Sequence, residues 1–328
     1  MSWDPDPEFW RHRSVAVTGG TGFLGSHLVA ALRALGARVT VVIRDDVTLT
    51  SIHGQWWDAV NRVRGDVCDL AFMERVLAEY EVETLIHLAA QSQVGVANAN
   101  PVPTFDSNIR GTWSTLEAAR RSSSVGETVV ASSDKAYGAQ DTLPYHEEMA
   151  LRPVNPYDVS KAAGDMIATS FAHTFGLRVA VTRCANFYGP GDLNWERLIP
   201  GTFRTLLSGQ RPVIRSDGSL VRDYLFVEDG VRGYLQLAQS LAADSSLSGQ
   251  AFNFSAEHPM TVLDVVTMVQ KAVGSELEPD IRATSTGEIR HQHLSAAKAR
   301  ALLGWQARCA FEEGLALTAD WYCTALGG

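Results

Sequence analysis

The sequence predicts an α/β protein, a doubly wound parallel sheet followed by a smaller C-terminal α/β lobe. Three observations predict it. Short apolar runs alternate with amphipathic stretches through the first half of the chain. A glycine-rich turn joins the first apolar run to the first helical stretch. After about residue 184 the alternation loosens, and Gly, Pro, Ser and Asp punctuate shorter elements.

Residues 15–18, 39–43, 84–88, 128–131 and 178–182 read as strands. Each is a short run dominated by apolar and β-branched residues, as strands buried on both faces require. Residues 26–35, 108–120 and 157–175 read as helices, the first with Leu28, Leu32 and Leu35 on one face. We divide the chain into residues 1–183, a nucleotide-binding type of domain, and residues 184–328, mainly a substrate lobe. The division leaves room for a late return to the first sheet. No internal repeat or low-complexity segment interrupts the pattern.

At 328 residues and 45% hydrophobic content, the chain can build a large core. Its net charge of -9 argues against a nucleic-acid binder, which would present a basic face. It still permits an anionic small ligand, since a local arginine pocket can outweigh the mean field. The N-terminus lacks the basic and apolar segments of a signal peptide. No run approaches the roughly 18 apolar residues of a membrane span. The four cysteines (Cys68, Cys184, Cys309, Cys323) form no CxxC, so reduced thiols and a cytoplasmic location are expected.

The turn after the first strand carries Gly19, Gly22 and Gly25, with Phe23 and Leu24 opening the helix. A pyrophosphate can approach backbone N–H groups at a helix N-terminus only where no Cβ intervenes. Strand, glycines and helix in this order predict a Rossmann-type site for NAD or NADP. The second strand ends on Arg44 and Asp45. An acidic residue there favours NAD and an arginine favours NADP, so the choice stays open. Asp66 and Val67, further along the chain, are placed near the adenine. Asp66 has an ordinary turn role as its competing reading.

Tyr157 and Lys161 share one face of a helix that Pro156 starts. A lysine cation beside a phenol lowers the phenol's pKa, which suits a base for a sugar hydroxyl. YxxxK alone is common, and the glycine turn upstream gives it weight. Together these motifs resemble the extended short-chain dehydrogenase/reductase family. The resemblance extends over His87-Leu-Ala89-Ala90, Asn108-Ile-Arg-Gly-Thr112, residues 183–190, residues 222–229 and Leu302-Leu-Gly-Trp305. It implies that Ala89, Ala90 and Asn108 serve the cofactor and that Ser133 binds the reacting hydroxyl. It also implies that Asn186 and Arg222 hold the substrate's diphosphate, for which a guanidinium fork is suited. A salt bridge of Arg222 with Asp223 or Glu228 is the plainer alternative.

Asp134 and Lys135 decide the reaction expected. A sugar 4-epimerase needs only oxidation, rotation and reduction. A 4,6-dehydratase also needs a base for the C5 proton and an acid for the C6 hydroxyl. We assign Asp134 as the acid and Lys135 as the base, the lysine acting in its neutral form. The Asp-Lys pair resembles CDP-glucose 4,6-dehydratases and some UDP-N-acetylglucosamine dehydratases, and residues 191–200, with Arg197 and Leu198, resemble the former. Residues 216–224 are closer to the dTDP- and UDP-sugar branches. Gln91 departs from the family's usual residue and is expected at the sugar, and Arg290 near the diphosphate.

The expected function is thus an NDP-hexose 4,6-dehydratase with tightly bound NAD or NADP regenerated each cycle, CDP-glucose being the leading substrate. A 4-epimerase, a keto-sugar reductase and a non-catalytic cofactor-binding regulator are the alternatives. The resemblance implies a homodimer through the helices over 108–120 and 157–175. His87 reads as a core residue. His291 and His293 carry too little ligand chemistry for a metal site. Trp56 and Trp57 read as an exposed apolar pair, covering the cofactor or a subunit contact.

Overall fold

The computed structural model describes residues 4–284 and 288–326. Six strands arise in chain order: β1 (Ser14–Thr18), β2 (Arg38–Ile43), β3 (Asn61–Arg64), β4 (Thr84–His87), β5 (Glu127–Ala131) and β6 (Val179–Cys184). Four short strands follow: β7 (Asn186–Tyr188), β8 (Val213–Ile214), β9 (Val221–Arg222) and β10 (Tyr224–Phe226). The chain then returns to the first layer as β11 (Ala251–Phe254), which pairs with β6 in parallel. Strands β12 (Met260–Thr261) and β13 (Asp280–Ile281) complete the set. The main sheet has seven parallel strands in the order β11-β6-β5-β4-β1-β2-β3.

β1 is buried at every position, because helices cover both faces of the sheet. On one face lie the helices Phe23–Ala34 and Val227–Ala243, with Leu28, Leu32, Leu237 and Leu241 in the core. On the other lie Leu70–Glu79, Gly111–Arg121 and Pro156–Phe175. β3 is one of the two edge strands, and its Arg62 and Arg64 are exposed. The strand order reverses beside β1, with β2 on one flank and β4 on the other. Such a reversal opens a crevice above the strands' carboxyl ends. The C-terminal lobe has its own core, built from Tyr188, Phe203, Val265, Val269, Phe311 and Tyr322.

Two expectations need correction. The helix expected over 108–120 begins as a wider π turn, Asp106–Arg110, and becomes α-helical only over Gly111–Arg121. Trp56 is not exposed: its surroundings leave it 1% accessible, packed in the first core. Trp57 is half-buried beneath the Arg62 guanidinium, 4.8 Å from its ring centroid. No helix among the described residues is long and apolar enough to cross a membrane.

Candidate active site

A cleft of about 800 Å³ lies above the carboxyl ends of β1, β2, β4 and β5. A second cavity of about 1210 Å³ opens into the C-terminal lobe. Lys135, Asn186 and Arg197 line both, so the two meet there.

The glycine turn forms the floor of the first cleft. Gly19 has φ +69, and a Cβ there would stand 2.7 Å from the Ala89 nitrogen. A Cβ on Gly25 would collide with the Gly19 carbonyl and the Gly20 Cα. Gly22 begins the helix Phe23–Ala34, and no side chain caps it. Its first N–H groups are therefore suited to an anion. Phe23, Leu24, Arg44, Val67, Ala89 and Ala90 also line this cleft. Arg44 and Asp45 pair at 2.7 Å, both largely in solvent. A glycine cradle, an uncapped helix start and polar groups at the end of β2 fit a dinucleotide.

Asp66 takes the turn role that was its competing reading. Its carboxylate accepts the Cys68 N–H at 2.9 Å, closing the turn into the helix Leu70–Glu79, and only Gly65 and Val67 reach the cleft. Asn108 lies behind the lining and is 3% exposed. Its amide donates to the Gln91 carbonyl at 3.0 Å and to Ser160 Oγ at 2.8 Å, and its oxygen accepts the Gln91 N–H at 2.7 Å. Gln91 consequently folds back, its side chain accepting the Gln93 N–H, while Ser92 and Gln93 face the cleft.

β5 delivers the reactive cluster at its carboxyl end. Ser133 Oγ donates to Asp134 at 3.0 Å and accepts the Lys135 N–H at 3.2 Å. The Lys135 ammonium donates to Asp134 at 3.2 Å and to Gln292 Oε1 at 2.5 Å. Tyr157 and Lys161 enter the same cleft from the helix Pro156–Phe175. Lys161 donates to the Ala131 carbonyl at 2.9 Å, and burial lowers its pKa to about 8. Burial pushes Tyr157 up to about 12, opposed by the Arg197 charge and a hydrogen bond with Ser133. Burial outweighs the nearby charges at Tyr157 in the cleft as it stands, and the Lys161 amine is turned to a main-chain carbonyl.

On the substrate side, Asn186 donates to the Asp223 carbonyl at 3.1 Å. Arg197 pairs with Asp192 at 3.0 Å, and Leu198 lines the second cavity. Arg222 also lines it, 3.6 Å from Glu288 rather than pairing with Asp223 or Glu228. Arg290 is exposed and outside both cavities. Its carbonyl accepts the Val221 N–H at 2.8 Å, and Ile289 and Gln292 on either side line the second cavity.

Sequence reasoning missed Gln292 and Asp158, both buried and both lining the second cavity. Burial raises the Asp158 pKa, against the charge of Lys135. Asp158 stands beside Tyr157 in sequence, so helical phase could have flagged it. Nothing in the spacing signals Gln292, which comes to Lys135 from 157 residues away.

The family described as GDP-mannose 4,6 dehydratase matches residues 16–318. A Streptomyces antibioticus protein named dTDP-glucose 4,6-dehydratase is 33% identical, over 94% of this chain and 92% of its own length. A Mycolicibacterium smegmatis protein named UDP-glucose 4-epimerase is 32% identical, over 93% of this chain and 97% of its own. The structure of a Streptomyces venezuelae dTDP-glucose 4,6-dehydratase with NAD bound superposes with a TM-score of 0.86 at 29% identity, covering 96% of this chain and 98% of that one. The match to the family model and the fold agree: this chain belongs to the GDP-mannose 4,6-dehydratase family, within the extended short-chain dehydrogenases/reductases.

Proposed function

We propose that this chain is an NDP-hexose 4,6-dehydratase with NAD as a regenerated cofactor. The observation that carries the reading is the Asp134–Lys135 pair, set beside Ser133 and Tyr157 where the two cavities meet. NAD is supported by the relatives solved with it and by the fit of the glycine cradle. Gly19, Gly22 and Gly25 hold the pyrophosphate, Arg44 and Asp45 the adenosine ribose, and Tyr157 and Lys161 the nicotinamide ribose. Asn186, Arg197 and Arg222 take the substrate's diphosphate.

When bound in the cleft, NAD would supply an acceptor for the hydride of the sugar's C4 and a donor of that hydride to C6. Tyr157 takes the proton of the C4 hydroxyl as a phenolate, a form that the Arg197 charge, the Ser133 hydrogen bond and the positive charge of a bound nicotinamide would favour against burial. Asp134 and Lys135 work as a unit. Moving one proton from the ammonium to the carboxylate leaves a neutral acid and a neutral amine. A bound sugar that excludes water favours this neutral form, since separated charges lose solvation. Lys135 then takes the C5 proton, and Asp134 protonates the C6 hydroxyl, which leaves as water. Lys135 returns its proton to C5. Asp134 is now one proton short, and Tyr157 holds the proton from the C4 hydroxyl. Ser133, hydrogen-bonded to both, is the bridge over which it passes.

The relatives move the leading substrate from CDP-glucose to dTDP-glucose, for which the Streptomyces antibioticus and Actinoplanes proteins are named. A 4-epimerase is the second reading, favoured by the Mycolicibacterium relative and by a Thermotoga maritima UDP-glucose 4-epimerase structure with a TM-score of 0.87. We also infer a homodimer through the helices Gly111–Arg121 and Pro156–Phe175, where Trp113 and Met166 are exposed. The free cysteines suit a reducing, cytoplasmic setting.

The test is incubation with dTDP-, UDP-, CDP- and GDP-hexoses, read by mass and NMR. The expected result is loss of one water and a 4-keto-6-deoxy sugar from dTDP-glucose, without net consumption of NAD. An isomer of unchanged mass would make the chain an epimerase, and stoichiometric cofactor use a reductase. Asp134→Asn and Lys135→Ala should still oxidise C4, seen as reduced-nicotinamide absorbance. Water loss should fall by about a hundredfold or more. Turnover equal to the parent's would remove the assigned roles.

A further inference from the structure

The geometry points to Gln292 as a positioning residue that holds the Lys135 amine in place and sets its affinity for a proton. The inference rests on Lys135 being the base of the proposed reaction. Gln292 is 1% exposed, and both ends of its amide are engaged. Nε2 donates to the Asp134 carbonyl at 3.0 Å, and Oε1 accepts from Lys135 at 2.5 Å. The orientation is not free. An ammonium only donates and a main-chain carbonyl only accepts, so the oxygen must face Lys135 and the nitrogen Asp134. One side chain therefore grips both members of the pair, Asp134 through its backbone and Lys135 through its head group.

Gln292 is itself anchored in the other lobe. Its N–H donates to the Val221 carbonyl at 3.1 Å, and the Val221 N–H donates to the Arg290 carbonyl at 2.8 Å. The strip carrying Gln292 thus lies against β9, whose other residue is Arg222. The base stands on the first lobe and its support on the second. An acceptor at Oε1 stabilises the ammonium, so it opposes proton loss. It also gives the neutral amine one fixed N–H partner, which turns the lone pair away from Gln292 and into the cavity. A carboxylate at this position would hold the ammonium more strongly, and an apolar side chain would release it.

Gln292→Glu keeps the size and shape of the side chain and an acceptor for Lys135 but gives up the bond to the Asp134 carbonyl, and Gln292→Met removes both that donor and the acceptor. Trace acetylation of the whole protein with acetic anhydride, read by mass spectrometry across pH, reports the protonation of Lys135. The exposed Lys271 in the same chain is the internal reference. Gln292→Glu should lower Lys135 labelling at a fixed pH below its midpoint by about tenfold, the equivalent of one pH unit. Gln292→Met should raise it. Near-ultraviolet circular dichroism checks that both variants keep the parent's packing. Coincident Lys135 labelling curves in the parent and both folded variants would overturn the inference, because a packing role moves neither curve. With dTDP-glucose in deuterated water, both variants should oxidise C4 normally and exchange C5 more slowly. If the parent forms no dehydration product while the labelling curves shift in opposite directions, the proposed function fails and only the hold of Gln292 on the Lys135 amine stands.

Discussion

His87 shows how a titratable side chain is held out of the chemistry. It ends β4 and is 2% exposed. Its Nδ1 lies 2.8 Å from Thr18 Oγ1 and its Nε2 3.2 Å from Thr112 Oγ1. Burial, then the charge of Lys161, pushes its pKa from 6.5 down to about 3. Between those values the unfolded chain binds a proton that the folded chain refuses, so stability falls as pH drops through the window. His87→Gln keeps a partner for both hydroxyls and removes the titration. Urea unfolding should show the parent losing stability more steeply than the variant from pH 6.5 towards 3, with equal slopes above pH 7. Equal slopes below pH 6.5 would mean that His87 is protonated in the fold. At this scale the sequence was informative where a residue's neighbours in the chain are also its partners, as for Ser133, Asp134 and Lys135. Asp66 and Gln91 lie next to the site in sequence, but their side chains close local turns by accepting main-chain N–H groups.

Among the elements, the turn into the helix Phe23–Ala34 is the most constrained. The atoms that a Gly25 Cβ would meet are main-chain atoms of Gly19 and Gly20, which cannot swing away as a side chain would. Gly25→Ala should therefore open the turn. We expect NAD affinity to fall at least about tenfold, measured by calorimetry, since the loss of a good charge-assisted contact or two costs that much. Far-ultraviolet circular dichroism should stay unchanged. Full NAD retention in the variant would show that the cradle is wider than it stands here. The glycine spacing was readable because it is a local steric demand. β11 was not, because residues 251–254 become a strand only through pairing with Val181–Cys184. The π turn at Asp106–Arg110 was equally hidden, since the partners of Asn108 lie at Gln91 and Ser160.

For the whole molecule, the helices Gly111–Arg121 and Pro156–Phe175 pack on each other over the sheet and leave apolar groups outward. Trp113 is 40% exposed, Met166 65% and Phe175 54%. Large apolar side chains grouped on adjacent helices fit a subunit interface. In sedimentation, the parent should run as a dimer and the double variant Trp113→Asp, Met166→Glu as a folded monomer. A parent that is monomeric at micromolar concentration would sink the proposal.

The sequence by itself determined the layer order, the dinucleotide cradle and the cluster on β5 with Tyr157 and Lys161. These follow from hydrophobic period, glycine sterics and short-range spacing, all of them properties of a local stretch of chain. Only the tertiary structure decided that β11 returns to the first sheet, that Trp56 is core, and that Gln292 reaches across the lobes to Lys135. The reason is physical. Burial and hydrogen-bond partnership depend on which distant segments fold against one another, and a buried ammonium or indole takes its environment from them rather than from its neighbours in the chain.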